Sequence, residues 1–236
     1  EYAAVLPLGD MQYQTMNESE IGVYKSTWGQ QDIWDKSLPV RGNHDTGVYQ
    51  QYWNGVDPAN GKPNAVGKAG ITKENWYSFD TGDGDNGWHV VVLNAQCGMD
   101  KADGKCGDFG GGGPAQLKWL ANELKTTKKK CTMATFHQPL WYPEDFQKAS
   151  SSKGKLEDPS VVKGPGLVKT LGTDPQLTST PADWNNEPDL KAYWDVLSQS
   201  GADVVLNGHH HFYGRMKPLD INGMPVAEGQ GIREFI

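Results

Sequence analysis

Residues 202–211 read ADVVLNGHHH. Val204, Val205 and Leu206 predict a short buried strand, and the chain turns polar immediately after it with Asn207, Gly208 and three histidines. On an extended chain, residues i and i+2 point the same way. His209 and His211 are therefore expected to reach one site while His210 faces away. The same arrangement, an apolar run that ends in a polar turn, recurs in VLPLGDMQY (5–13), LPVRGNHD (38–45) and CTMATFHQ (131–138). Five of the six histidines fall in these four segments, which makes the strand ends the place to look for chemistry. Polar groups at the C-terminal ends of neighbouring strands converge on one rim of a sheet, where open α/β sheets build their sites.

Working outward, strands are expected over residues 3–8, 38–41, 76–80, 89–94, 132–136 and 203–207. Helices are expected over 114–127, which opens on Pro114, and over 187–200, which Gly201 stops. A third is expected over 19–34. Strands alternating with helices give an α/β layered fold. The length suits one domain, residues 1–236, with a loop-rich insertion at about 142–184 where Pro, Gly, Ser, Thr and Lys dominate. The net charge of -7 argues against a nucleic-acid scaffold, and no apolar run is long enough to span a membrane. Lys128, Lys129 and Lys130 are read as complementing the dipole at the end of the 114–127 helix.

Cys97 and Cys106 bracket the loop GMDKADGK, which a short disulfide would close in an oxidising compartment; a zinc site is the competing reading, weakened by the lack of a second Cys/His pair at finger spacing. Cys131 opens an apolar strand and reads as a free thiol. The chain begins and ends in strand-like sequence, so flanking segments are expected beyond both ends.

The residue types in the four segments suit hard or borderline cations. Asp10 has two oxygens and can bridge a metal pair, Asn43 offers an amide oxygen, and His137, His209 and His211 offer imidazole nitrogen. A mixed oxygen and nitrogen set without thiolate excludes a structural zinc cage.

In this order, Gly9-Asp10 with Tyr13, Gly42-Asn43-His44-Asp45, His137 after its strand, and Gly208-His209-His210-His211 resemble the calcineurin-like metallophosphoesterases. Tyr13, three residues after Asp10, resembles the purple acid phosphatase branch, and the wording of the strands is most similar to secreted bacterial members. The resemblance implies a four-layer α/β/β/α sandwich, here lacking its first strand and its C-terminal end. It implies hydrolysis of phosphate esters, monoesters before diesters, by a metal-bound hydroxide at a dinuclear site. Asp10 would bridge the metals, Asn43, His137 and His209 would complete one shell, and Tyr13 and His211 would bind the other ion. His44 would act on the phosphate as the catalytic residue. The ions would be iron paired with zinc, manganese or iron, the substrate a small phosphorylated molecule, and the location extracellular. Tyr213 and Arg215, just past the histidines, are expected near the substrate.

One departure stands out. The aspartate motif that precedes Gly-Asp in this family is missing from the nine residues before Asp10, and Asp45-Thr-Gly47 and Asp80-Thr-Gly82 match it by letters only and read as turns. A protein that keeps the fold without the chemistry is the alternative this leaves open.

Overall fold

The computed structural model describes residues 4–54, 75–95, 114–143, 184–186 and 190–236. In chain order its elements are α1 (Glu18–Ser26), α2 (Gln31–Trp34), α3 (Tyr49–Asn54), β1 (Tyr77–Asp80), β2 (Trp88–Val92), α4 (Pro114–Thr126), β3 (Cys131–Thr135), β4 (Trp141–Pro143), β5 (Trp184–Asn186), α5 (Lys191–Gln199), β6 (Val204–Leu206), β7 (Arg215–Leu219) and β8 (Ile232–Phe235). None of the helices described is long and apolar enough to cross a membrane.

Val90, Val91 and Val92 are all buried, the mark of a strand covered on both faces. Such strands belong at the centre of a parallel sheet. Six strands pair in the order β1-β2-β3-β6-β8-β7. The inner four run parallel, and β1 and β7 close the edges antiparallel. Parallel neighbours need crossovers, and α4 and α5 fall between β2 and β3 and between β3 and β6. The two helices pack against each other. Leu120 from α4, and Tyr193, Trp194 and Leu197 from α5, join Val91, Ala134 and Val205 of the sheet in one apolar core.

The helical spacing of Leu190, Tyr193, Trp194 and Leu197 is what buries one face of α5. The helix stops in a Schellman turn: Ala202 N–H reaches Leu197 O at 3.0 Å and Gly201 N–H reaches Ser198 O at 3.2 Å. Gly201 takes φ +73 there, as the turn requires. Gln116 ties the layers together. It accepts from Asn94 N–H (2.8 Å) and donates to Asn94 O (3.2 Å) and to Tyr193 Oη (2.8 Å).

A second cluster, Met16, Ile21, Tyr24, Trp34, Tyr49, Tyr52 and Trp53, forms under α1 to α3. Trp34 and Trp53 stack with centroids 4.9 Å apart. The N-terminal run lies beside the run before Gly42: Leu38 N–H bonds Val5 O at 2.8 Å and Val40 N–H bonds Pro7 O at 2.9 Å.

The structure departs from the sequence reading in several places. The runs expected as strands over 3–8 and 38–41 form no full strands among the described residues: Val5 makes one isolated parallel bridge to Ser37, and Pro7 has no N–H to extend that ladder. The helix expected over 19–34 is two helices. Thr27 hydroxyl bonds Val23 O and Tyr24 O, and Gly29 N–H turns back to Tyr24 O, which together end α1. α3 and β7 went unforeseen. The lysine cluster lies past the end of α4 at Thr126. Lys129 Nζ donates to Gly82 O and Asn86 O, and Lys130 pairs with Asp85, so these residues brace the β1–β2 turn instead of a helix end. β4 and β5 pair antiparallel and bring together the two ends of the 142–184 region, whose interior lies outside the described residues.

Trp194 has no exposed surface, and its Nε1–H donates to Asp220 O at 3.0 Å. Trp194→Ala is expected to cost about 3–5 kcal/mol of stability, read as a lower midpoint in chemical denaturation.

Candidate metal centre

The site starts from Asp45, whose side chain has no exposure. One carboxylate oxygen accepts from Asp10 N–H and Gly42 N–H, both at 2.8 Å, and the other accepts from Met11 N–H at 3.0 Å. The Gly-Asp turn and the Gly-Asn-His-Asp turn are thereby fixed to each other. Burial raises the Asp45 pKa, and the charge of Asp10 adds to this, while the backbone donors oppose both. The two turns touch so closely that a Cβ on Gly42 would overlap the nitrogen and carboxylate of Asp10. Gly9 takes φ +93, and a Cβ there would overlap His137 Nδ1.

Asp10 sits in the left-handed region at φ 53, a strained position that its bonds to Asp45 hold in place. Its own carboxylate accepts His44 N–H at Oδ1 (2.8 Å). Oδ2 lies 3.1 Å from His137 Nε2 and accepts from Tyr13 Oη at 3.2 Å. Burial works to raise the Asp10 pKa, but the hydrogen bond and charge of His137, with the N–H of His44, outweigh it and lower the value.

His137 follows β3, and Phe136 N–H continues the pairing to Leu206 O at 3.2 Å. The His137 Nδ1–H donates to Leu8 O at 2.6 Å. That bond directs Nε2 into the site. Nε2 is 3.2 Å from Asn43 Oδ1 and 3.3 Å from His209 Nδ1, and His209 Nδ1 is 2.9 Å from Asn43 Oδ1. Candidate ligand atoms of Asp10, His137 and His209 all lie within 4.8 Å of one another, a group that could hold a metal ion. Ring nitrogens and a carboxylate gathered this closely form a donor set suited to a cation, which binds once the imidazoles are deprotonated.

His209 reaches the cluster from φ +66, so the turn is left-handed and not the extended chain expected. His211 still comes to the same side, with Nε2 2.9 Å from Tyr13 Oη. His210 turns away and packs on Tyr142, ring centroids 4.2 Å apart. The pKa of Tyr13 is raised to about 12, chiefly by burial and then by the charge of Asp10, so its phenol keeps its proton. His44 Nδ1–H donates to Gln14 O at 2.7 Å, and its ring lies 4.6 Å from that of Tyr13.

No protein-family model matches the sequence, and a search of curated protein sequences finds no relative. Among solved structures, the chain is similar to a purple acid phosphatase from seeds of yellow lupin (Lupinus luteus). The two share 14% identity at a TM-score of 0.49, over 100% of this chain and 36% of that one. The chain thus spans about a third of that protein's length.

Tyr213 is 78% exposed, and Arg215, at the start of β7, is exposed with its charge felt by Glu228. Cys97 and Cys106 lie outside the described residues, while Cys131 is a free thiol. His89 is buried and bonded to Asp80 at 2.7 Å, a structural histidine. Sequence reasoning missed Asp45, taken only as part of a turn, although an aspartate one residue beyond a candidate histidine is a natural acceptor for turn amides.

Burial, followed by neighbouring imidazole charge, lowers both His209 and His210 from 6.5 to about 4. Unfolded histidines take up protons that the folded rings refuse until about 4, so acid favours unfolding across that window. The metal-free chain is expected to lose stability as pH falls from about 6.5 towards 4. Denaturation midpoints measured across that range should fall, and less steeply in His210→Asn.

Proposed function

We propose that this chain hydrolyses phosphate esters, monoesters first, at two metal ions. The observation that carries the reading is the meeting of Asp10, Asn43, His137 and His209 at one point, with the backbone of His44 bonded to the same Asp10 carboxylate. In this reading Asn43, His137 and His209 would hold one ion, Tyr13 and His211 the other, and Asp10 would bridge them. When bound, the pair would supply Lewis acidity towards water and towards the phosphate oxygens. The protein's part is to orient and to move a proton. His44, fixed through Nδ1 to Gln14 O, would present Nε2 to the substrate and, when protonated, donate to the leaving oxygen.

The same reading assigns a four-layer α/β/β/α architecture in a single domain, with the paired runs 5–8 and 36–40 belonging to the second sheet. The 142–184 region would border the substrate, a view supported by the β4–β5 pairing and by Tyr142 against His210. Tyr213 and Arg215 would meet substrate only through the outer part of such a cleft.

Incubated with iron, zinc or manganese, the chain is expected to release p-nitrophenol from p-nitrophenyl phosphate, and more slowly from the bis-ester. A preference for the bis-ester would make it a diesterase, and silence with every metal would leave a non-catalytic protein. His44→Ala should lower turnover by about 10²–10⁴-fold while metal analysis finds the content unchanged.

Tyr13 offers a spectroscopic check. A phenol held at about 12 loses its proton near neutrality only to a strong cation such as ferric ion. Iron-loaded protein is expected to absorb visible light, and Tyr13→Phe to bleach it; colour that survives the substitution removes Tyr13 from the ligands.

A further inference from the structure

Behind His137 the chain runs from Phe136 to Tyr142 as a buried segment, irregular until β4 begins at Trp141. Irregular backbone placed out of reach of water needs partners for its N–H and C=O groups. Two side chains from neighbouring strand ends supply them. Asn207, at the end of β6, donates from Nδ2 to Phe136 O at 2.7 Å and to Gln138 O at 3.3 Å, so it grips the chain on both sides of His137. Glu234, on β8, accepts Leu140 N–H at 3.2 Å and also interacts with the N–H of Trp141. The two are linked through the sheet, since Asn207 N–H bonds Phe235 O at 2.8 Å. Gly208 N–H then bonds His137 O at 2.9 Å, one residue before His209.

Glu234 is an odd choice for a core strand. It has no exposed surface, and its Oε2 lacks any hydrogen-bond partner. An apolar side chain there would avoid that penalty but would remove the acceptor of the buried Leu140 amide. The position therefore serves the turn and not the packing of β8.

We propose that Glu234 and Asn207 are positioning residues for His137: by fixing the chain on both sides of that imidazole they set where its Nε2 stands relative to His209 Nδ1. The proposal rests on the metal-binding reading of His137, and its consequence is specific. Loss of the clamp changes the geometry of the metal centre before it changes the fold. Burial, opposed by the two N–H groups, raises the Glu234 pKa to about 8, so at neutral pH its carboxyl is uncharged and Gln is its close mimic. Met fills similar space and accepts almost nothing.

The test uses the full chain, its Glu234→Gln and Glu234→Met variants, and cobalt(II) as the probe ion. The imidazole signals of His137 are also followed by NMR without metal. Glu234→Gln is expected to match wild type within about threefold in cobalt affinity, with the same visible bands and unmoved His137 signals. Glu234→Met is expected to stay folded by circular dichroism, bind cobalt at least tenfold more weakly with shifted bands, and move the His137 signals. A Met variant that equals wild type in all of these overturns the proposal. If wild type itself binds no cobalt, the metal reading falls, and the metal-free His137 signals alone decide the positioning role. If the Met variant unfolds, hydrogen exchange in wild type decides: Leu140 and Trp141 amides protected like those of β3 support the clamp, and exchange at free-loop rates refutes it.

Discussion

Everything at the candidate site hangs on one carboxylate that touches neither metal nor substrate in any reading. Asp45 accepts three backbone N–H groups drawn from two turns more than thirty residues apart in sequence. It helps hold Asp10 at φ 53, and together with the His44 N–H bond to Asp10 Oδ1 it fixes the distance between Asn43 and Asp10. Three amide donors offset only part of the cost of burying that carboxylate, and the local strain at Asp10 is held by bonds made through Asp45. The sheet supplies the other half. β3 and β6 are parallel neighbours, so the histidines that follow them emerge side by side at one rim.

The electrostatics of the cluster follow from its crowding. Tyr13 keeps its proton up to about 12, and His209 refuses one down to about 4. Between those limits both are neutral, while Asp10 is held ionised by His137 and the His44 amide despite its burial. Imidazole, amide and phenol donors gathered around one carboxylate describe a centre that a cation could occupy. Partial burial, followed by neighbouring imidazoles, lowers the basicity of His209 although its surface remains exposed.

How far the sequence reached depended on range. β2, β3 and β6 were legible because apolar runs such as Val90–Leu93 carry their burial in their own letters. α4 and α5 were legible from helical spacing and from Pro114 and Gly201. The two proline-bearing runs were misread because a strand needs donors as well as apolar side chains. α1 and α2 were joined because the break depends on Thr27 hydroxyl contacts that no periodicity shows. At the site, the candidate ligands were legible by residue type, but the left-handed turn at His209 and the roles of Asp45, Asn207 and Glu234 involve partners up to 166 positions away. Local pattern cannot carry such information.

The absence of side chains at Gly9 and Gly42 bears on how this protein can change over evolutionary time. His137 rests against one and Asp10 against the other, so the spacing of the donors is set by main chain pressed on main chain. Drift at these two codons would spread the cluster even if every histidine survived. Lineages could therefore exchange one donor for another and so alter ion preference, yet the footprint that receives the ion would stay the same size.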